Sequence, residues 1–153
     1  MLALAMATLQ LFVVQGLKPM GNVGLGVTFH TKERAILRST HGDYEYCERH
    51  LRQSYDRQQP VGVSVLHGEV QQVRWADQDV VGELVERGPT RVDVWFLWHN
   101  GKFQLDRSHP HAQRIYDALA RSKRSGRWVW FVAMLPDLLI VDVASEDELP
   151  RGR

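Results

Sequence analysis

The sequence predicts a mainly β protein with two helices, made of one structural unit used twice. Three observations predict it. Sliding the chain by 68 positions sets Leu37 on Leu105, His41 on His109, Leu51 on Leu119, Ser54 on Ser122, Val61 on Val129 and Val73 on Val141. A fixed-period self-match of this kind marks a repeated unit. Several short runs alternate apolar and polar residues, the period of half-buried strands. Two longer stretches instead space their apolar residues three and four apart, as amphipathic helices do.

The first copy opens on a strand from Leu9 to Gln15, after a short apolar lead. Met1 to Val14 is apolar but for Thr8 and Gln10. It has the length of a signal-peptide h-region but lacks a basic n-region and a cleavage site. It is also too short to cross a bilayer before Gly16, Lys18 and Pro19. Leu25, Val27 and Phe29 then alternate with Gly24, Gly26, Thr28 and His30, a second strand. Ala35 to Arg38 is a third, and Ser39 to Asp43 offers N-cap residues. Tyr44, Cys47, Leu51 and Tyr55 share one face of the following helix, which Pro60 stops. Val61, Val63 and Val65 alternate in the next strand, His67-Gly68 turns the chain, and Val70 to Trp75 returns.

The second copy repeats this order. Val80 to Glu86 and Arg91 to Trp98 read as strands, the latter with Val92, Val94, Phe96 and Trp98 inward. His99-Asn100-Gly101-Lys102 is a hairpin connection, and Phe103 to Asp106 follows as a strand. Ser108 is a candidate cap and Pro110 sits near the first helical position. Ala112, Ile115, Tyr116 and Leu119 form the apolar face of a helix that Gly126 ends. Trp128 to Ala133 and Leu138 to Val143 complete the copy around Pro136-Asp137.

Each copy therefore reads strand, strand, strand, helix, strand, strand, the element order of an OB-fold. The expected fold is α+β, mainly β: tandem OB-like barrels over residues 9–76 and 78–144. Asp77 to Asp79 is the join, and residues 1–8 and 145–153 are termini, frayed from Ser145. The stretch Phe103-Gln104-Leu105-Asp106-Arg107-Ser108-His109-Pro110, continued through the helix to Trp128-Val129-Trp130-Phe131, resembles uncharacterised small bacterial proteins of OB-like fold. That resemblance covers the second half only. It implies a bacterial origin and the OB-like shape, and it transfers no functional residue.

Composition narrows the function classes. Net charge is +1 and hydrophobic residues make up 44% of the chain, so no global field recruits nucleic acid or membrane. One cysteine, Cys47, excludes intramolecular disulfides and Cys-rich zinc sites. A cytoplasmic location is expected, with no membrane span and no cofactor. No Ser lies in a G-x-S-x-G elbow. Gly21-Asn22-Val23-Gly24-Leu25-Gly26 has the wrong spacing and the wrong following element for a phosphate loop, so those glycines serve curvature or close packing.

Three constellations remain. If Val129 and Phe131 point inward, Trp128, Trp130 and Val132 point outward, and Trp95 and Leu97 alternate outward on their own strand. Such a Trp-rich sheet face is expected to be covered, by itself or by a larger assembly, which makes the chain a non-enzymatic interaction module. At least two of Trp95, Trp128 and Trp130 are expected at an interface between copies or chains. Alternatively, Arg107, Arg114, Arg121, Lys123, Arg124 and Arg127 form a phosphate-tracking surface for single-stranded nucleic acid, with Trp128 and Trp130 as stacking platforms. Third, His41, His109 and His111 form a metal site of unknown activity if the two helix starts meet. Against the metal stands the capping role natural to residues just before a helix, and His41 and His109 are expected to make capping or backbone contacts.

Overall fold

The computed structural model describes residues 8–150. The chain divides into two compact units, the first running to Trp75 and the second covering Ala76–Leu149. The first contains β1 (Gln10–Phe12), β2 (Val14–Pro19), β3 (Gly24–Phe29), β4 (Arg34–Arg38), α1 (Tyr44–Arg57), β5 (Val61–Leu66) and β6 (Glu69–Trp75). These strands form one sheet in the order β1-β5-β6-β4-β3-β2. All its pairs are antiparallel except β4 with β6, which is parallel.

The second contains β7 (Asp77–Asp79), β8 (Val81–Arg87), β9 (Arg91–Phe96), β10 (Phe103–Asp106), α2 (Ala112–Ser125), β11 (Val129–Met134) and β12 (Leu139–Ser145). Its sheet runs β7-β11-β12-β10-β9-β8. Strand for strand this is the order of the first sheet, and β10 with β12 is again the parallel pair. The described residues are thus mainly β, with two α-helices and two six-stranded mixed sheets.

In each sheet the outermost strands are consecutive in sequence. Only Val13 separates β1 from β2, and only Val80 separates β7 from β8. The expected first strand, 9–15, is therefore two strands lying at opposite edges. Val13 is fully buried, and its carbonyl accepts from the His30 N–H at 2.8 Å. Asp77 to Asp79, expected as a join, is a strand paired with β11. The tail from Ser145, expected to fray, continues β12 and then makes a 3-10 turn over Glu146–Glu148.

Strand periodicity decides the cores. Leu25, Val27 and Phe29 of β3 meet Leu37, Val61 and Val63 beneath Cys47 and Leu51 of α1. Val92, Val94 and Phe96 of β9 meet Leu105, Val129 and Phe131 beneath Ile115 and Leu119 of α2. Leu51 and Leu119 are both the eighth residue of their helices, and both are fully buried. Gly24 is a close-packing glycine. Its φ is +139°, and a Cβ there would lie 2.0 Å from the Leu37 carbonyl oxygen, so no other residue fits.

Both helices are fastened by the same serine. Ser54 Oγ accepts from the Val14 N–H at 3.0 Å and donates to the Gln59 carbonyl at 2.6 Å. Ser122 Oγ accepts from the Val81 N–H at 3.0 Å and donates to the Arg127 carbonyl at 2.8 Å. Each hydroxyl thereby satisfies the first N–H of the edge strand and holds the chain leaving the helix, a buried polar group with both partners made.

Candidate functional site

Strand β9 and the loop after it present the largest apolar exposure of the second unit. Trp95 is 39% exposed, Leu97 61% and Trp98 73%. Trp95 and Leu97 lie outward as the alternation requires. Trp98 was expected in the core and is not there, because β9 ends at Phe96 and the chain turns away. Leu97 N–H still donates to the Val80 carbonyl at 2.9 Å, but the next two amides leave the ladder for a side chain.

That side chain is Asp79. It is fully buried and accepts from the backbone N–H groups of Val80 at 2.6 Å, Trp98 at 3.2 Å and His99 at 2.8 Å. The His99 ring also bonds to it through Nδ1. Rings of Phe96, Phe103 and Phe131 pack around the imidazole with centroids 5.5–6.3 Å away. A buried carboxylate with every oxygen committed is a fastener. Here it fixes the loop that displays Leu97 and Trp98. The first unit has Phe12 at the position of Asp79, each pairing with the opening valine of the fifth strand of its own unit, and Phe12 stacks on Phe29 at 4.4 Å.

The other expected members of the face do not join this group. Strands β10 and β12 separate β9 from β11. Through them the ladder aligns Asp93 with Gln104, Leu139 and Met134, so Trp128 and Trp95 lie toward opposite ends of the sheet. Trp128 is 41% exposed and Trp130 half-buried, while Val132 is buried. Val132 therefore corrects the expectation of an exposed residue: alternation reports which side a residue faces, not whether that side is covered. Leu135, 53% exposed in the β11–β12 turn, lies instead at the Trp95 end.

The expected basic track breaks into separate pieces. Arg107 bonds Glu86 at 2.5 Å and lies over the Tyr116 ring at 4.8 Å. Arg114 bonds Asp142 at 2.5 Å and the Val143 carbonyl at 3.1 Å. Lys123 is exposed in the last turn of α2. Arg121, Arg124 and Arg127 line one pocket with Trp128, so the structure joins an aromatic ring to three of the six cations.

The histidines sit at the helix starts. His41 Nδ1 accepts from the Asp43 N–H, and His109 Nδ1 from the His111 N–H, each at 3.0 Å. Asp43 and His111 are the N-cap residues, and neither makes a side-chain cap. Ser108, expected as a cap, instead donates its hydroxyl and N–H to Asp106, at 2.7 and 2.8 Å. His41 Nε2 meets the Gln71 carbonyl at 2.7 Å, whereas the buried Nε2 of His109 has no hydrogen-bond partner. Among the described residues no group of three or more His, Cys, Asp or Glu is placed to hold a metal ion.

Burial, aided by the nearby His111, holds His109 below the usual histidine value. Burial does the same to His30 and, with Arg49, to His50. A depressed histidine favours the neutral folded form. Its stabilisation is complete above the unfolded value of about 6.5 and is lost as pH falls through the folded one. The urea midpoint should therefore be lower at about pH 5.5 than at about pH 7.5, and His109→Gln should shrink the difference. A midpoint that rises on acidification would contradict this assignment.

Sequence reasoning missed two features. One is the Asp79–His99 pair, whose members are 20 residues apart and carry no local motif. The other is an aromatic stripe on the first unit: Tyr46 and His50 at 4.4 Å, His50 and Trp75 at 6.3 Å, with Arg49 and Arg74 over the outer rings. The i,i+4 spacing of Tyr46 and His50 was the available signal. Comparison of the chain with protein-family models, curated proteins and solved structures finds no match.

Proposed function

We propose that the protein is a non-enzymatic interaction module of two OB-like units, which associates with a second copy of itself through the Trp95, Leu97 and Trp98 rim. The OB-like reading is supported by the sheet order. If β1 and β2 count as one strand bent at Val13, the order becomes first-fourth-fifth-third-second-first, with the helix between the third and fourth strands. A strand shared by both edges is how a small barrel removes its edges.

The observation that carries the function is the fastened rim. Large apolar side chains this exposed are costly unless a partner covers them, and Asp79 holds their loop in one conformation before any partner arrives. Tryptophan on a rigid support is the residue type that dominates interface energetics. A net charge of +1 sets up little repulsion between copies.

Light scattering tests this reading. The parent protein is expected to show a dimer or larger species at micromolar concentration. Leu97→Ser combined with Trp98→Ser should return it to a monomer with little change in melting temperature. A monomeric parent, or an unchanged mass in the double variant, would rule out self-association through this rim.

A further inference from the structure

The second unit holds a pocket of about 440 Å³, lined among others by Ala118, Arg121, Arg124, Arg127, Trp128 and Val129. Its origin is visible in the first unit. Ala118 and His50 are both the seventh residue of their helices. Ser145 pairs with Val129 as Trp75 pairs with Val61. The first unit therefore fills this place with the His50 and Trp75 rings, 6.3 Å apart, and the second carries alanine and serine there. Two large-to-small differences open the space, and a proline-to-tryptophan difference, Pro60 against Trp128, walls it.

The polar groups of the wall narrow the ligand. Ser122 is committed to Val81 and Arg127. Ser125 donates to the Arg121 carbonyl and accepts from the Arg127 N–H, and Ser145 donates to Glu148. Guanidinium donors remain. Arg127 meets Asp147 at 3.0 Å and Arg121 meets Glu148 at 3.8 Å, all four side chains well exposed. Exposed pairs of this kind are worth little and exchange readily for a stronger anion. The three arginines outweigh Asp147 of the lining and Glu148 beside it by one positive charge. The carbonyls at the end of α2 oppose an anion only weakly by comparison.

Guanidinium forks recognise phosphate, and an exposed indole stacks a planar ring. The volume lies within the range of about 300–1,000 Å³ usual for small-molecule sites. We infer that this pocket binds a nucleotide, a phosphate group on the Arg121, Arg124 and Arg127 side chains and the base against Trp128, either free or as the end of a single strand. The site is separate from the Trp95 rim and does not depend on it.

Calorimetric titration of the full chain tests the inference, with AMP, adenosine, inorganic phosphate and a short 5′-phosphorylated oligothymidylate as probes. AMP or the oligonucleotide should bind, while adenosine and phosphate alone bind at least about tenfold more weakly, because each supplies half of the recognition. AMP binding assigns the free nucleotide, and binding of the oligonucleotide alone assigns the strand end. Ala118→His with Ser145→Trp, which fills the pocket as the first unit does, should abolish binding. If that variant does not fold, Arg121→Gln with Arg124→Gln, both on the surface, should weaken binding about tenfold or more. The inference is overturned if neither probe binds at millimolar concentration, if phosphate alone binds as tightly as AMP, or if the folded variants bind like the parent.

Discussion

Asp79→Ala is expected to lower the unfolding free energy by about 3–5 kcal/mol, the usual cost of removing one partner from a buried charged network. The substitution leaves the N–H groups of Val80, Trp98 and His99 without their acceptor and takes the His99 ring off its anchor. Val80 is itself buried, and an unmade bond at a buried donor costs far more than an average hydrogen bond contributes. Asp79→Asn keeps the shape and one carbonyl acceptor, so it should cost less. Urea unfolding followed by far-UV circular dichroism measures both. A loss below about 1 kcal/mol for the alanine variant would mean that water replaces the carboxylate at little cost. The same variant should weaken self-association, because the loop bearing Leu97 and Trp98 loses its fastening.

Leu119→Ala is expected to cost about 2–5 kcal/mol, through lost burial and the cavity it leaves. Leu119 is fully buried in the second core, against sheet residues such as Val129 and Phe131. Leu51→Ala should behave alike, since Leu51 occupies the same place on α1 and is equally buried. Thermal or urea unfolding reads both changes. A loss near zero for either would contradict its burial, since even a core that collapses fully forfeits the transfer free energy of the removed atoms.

Much of the architecture is legible in the sequence because it is local. Period-2 alternation located β3, β5, β9 and β11, and helical spacing located α1 and α2, since both depend on neighbours a few residues away. The serines at 54 and 122 and the leucines at 51 and 119, matched by the 68-residue shift, occupy equivalent structural positions. The candidate site was legible only in part. Trp95 and Leu97 are exposed, as alternation places them, whereas Trp98, Val132 and Asp79 were misread.

Those misreadings share a physical reason. Alternation would carry Trp98 into the core, but a carboxylate from a strand 19 residues away captures its N–H and ends β9 first. Asp77 to Asp79 has the polarity of a linker, and only pairing with β11 makes it a strand. Alternation also left open how far Trp128 lies from Trp95, which the order of the intervening strands decides. The sequence by itself determined α1, α2 and the longer strands, with the apolar side of each helix, because those follow from the chain's own periodicity. Tertiary structure decided where strands end, which polar side chain is captured, and whether a groove is filled by His50 and Trp75 or left open by Ala118 and Ser145. These depend on partners distant in sequence, whose identity no local pattern encodes.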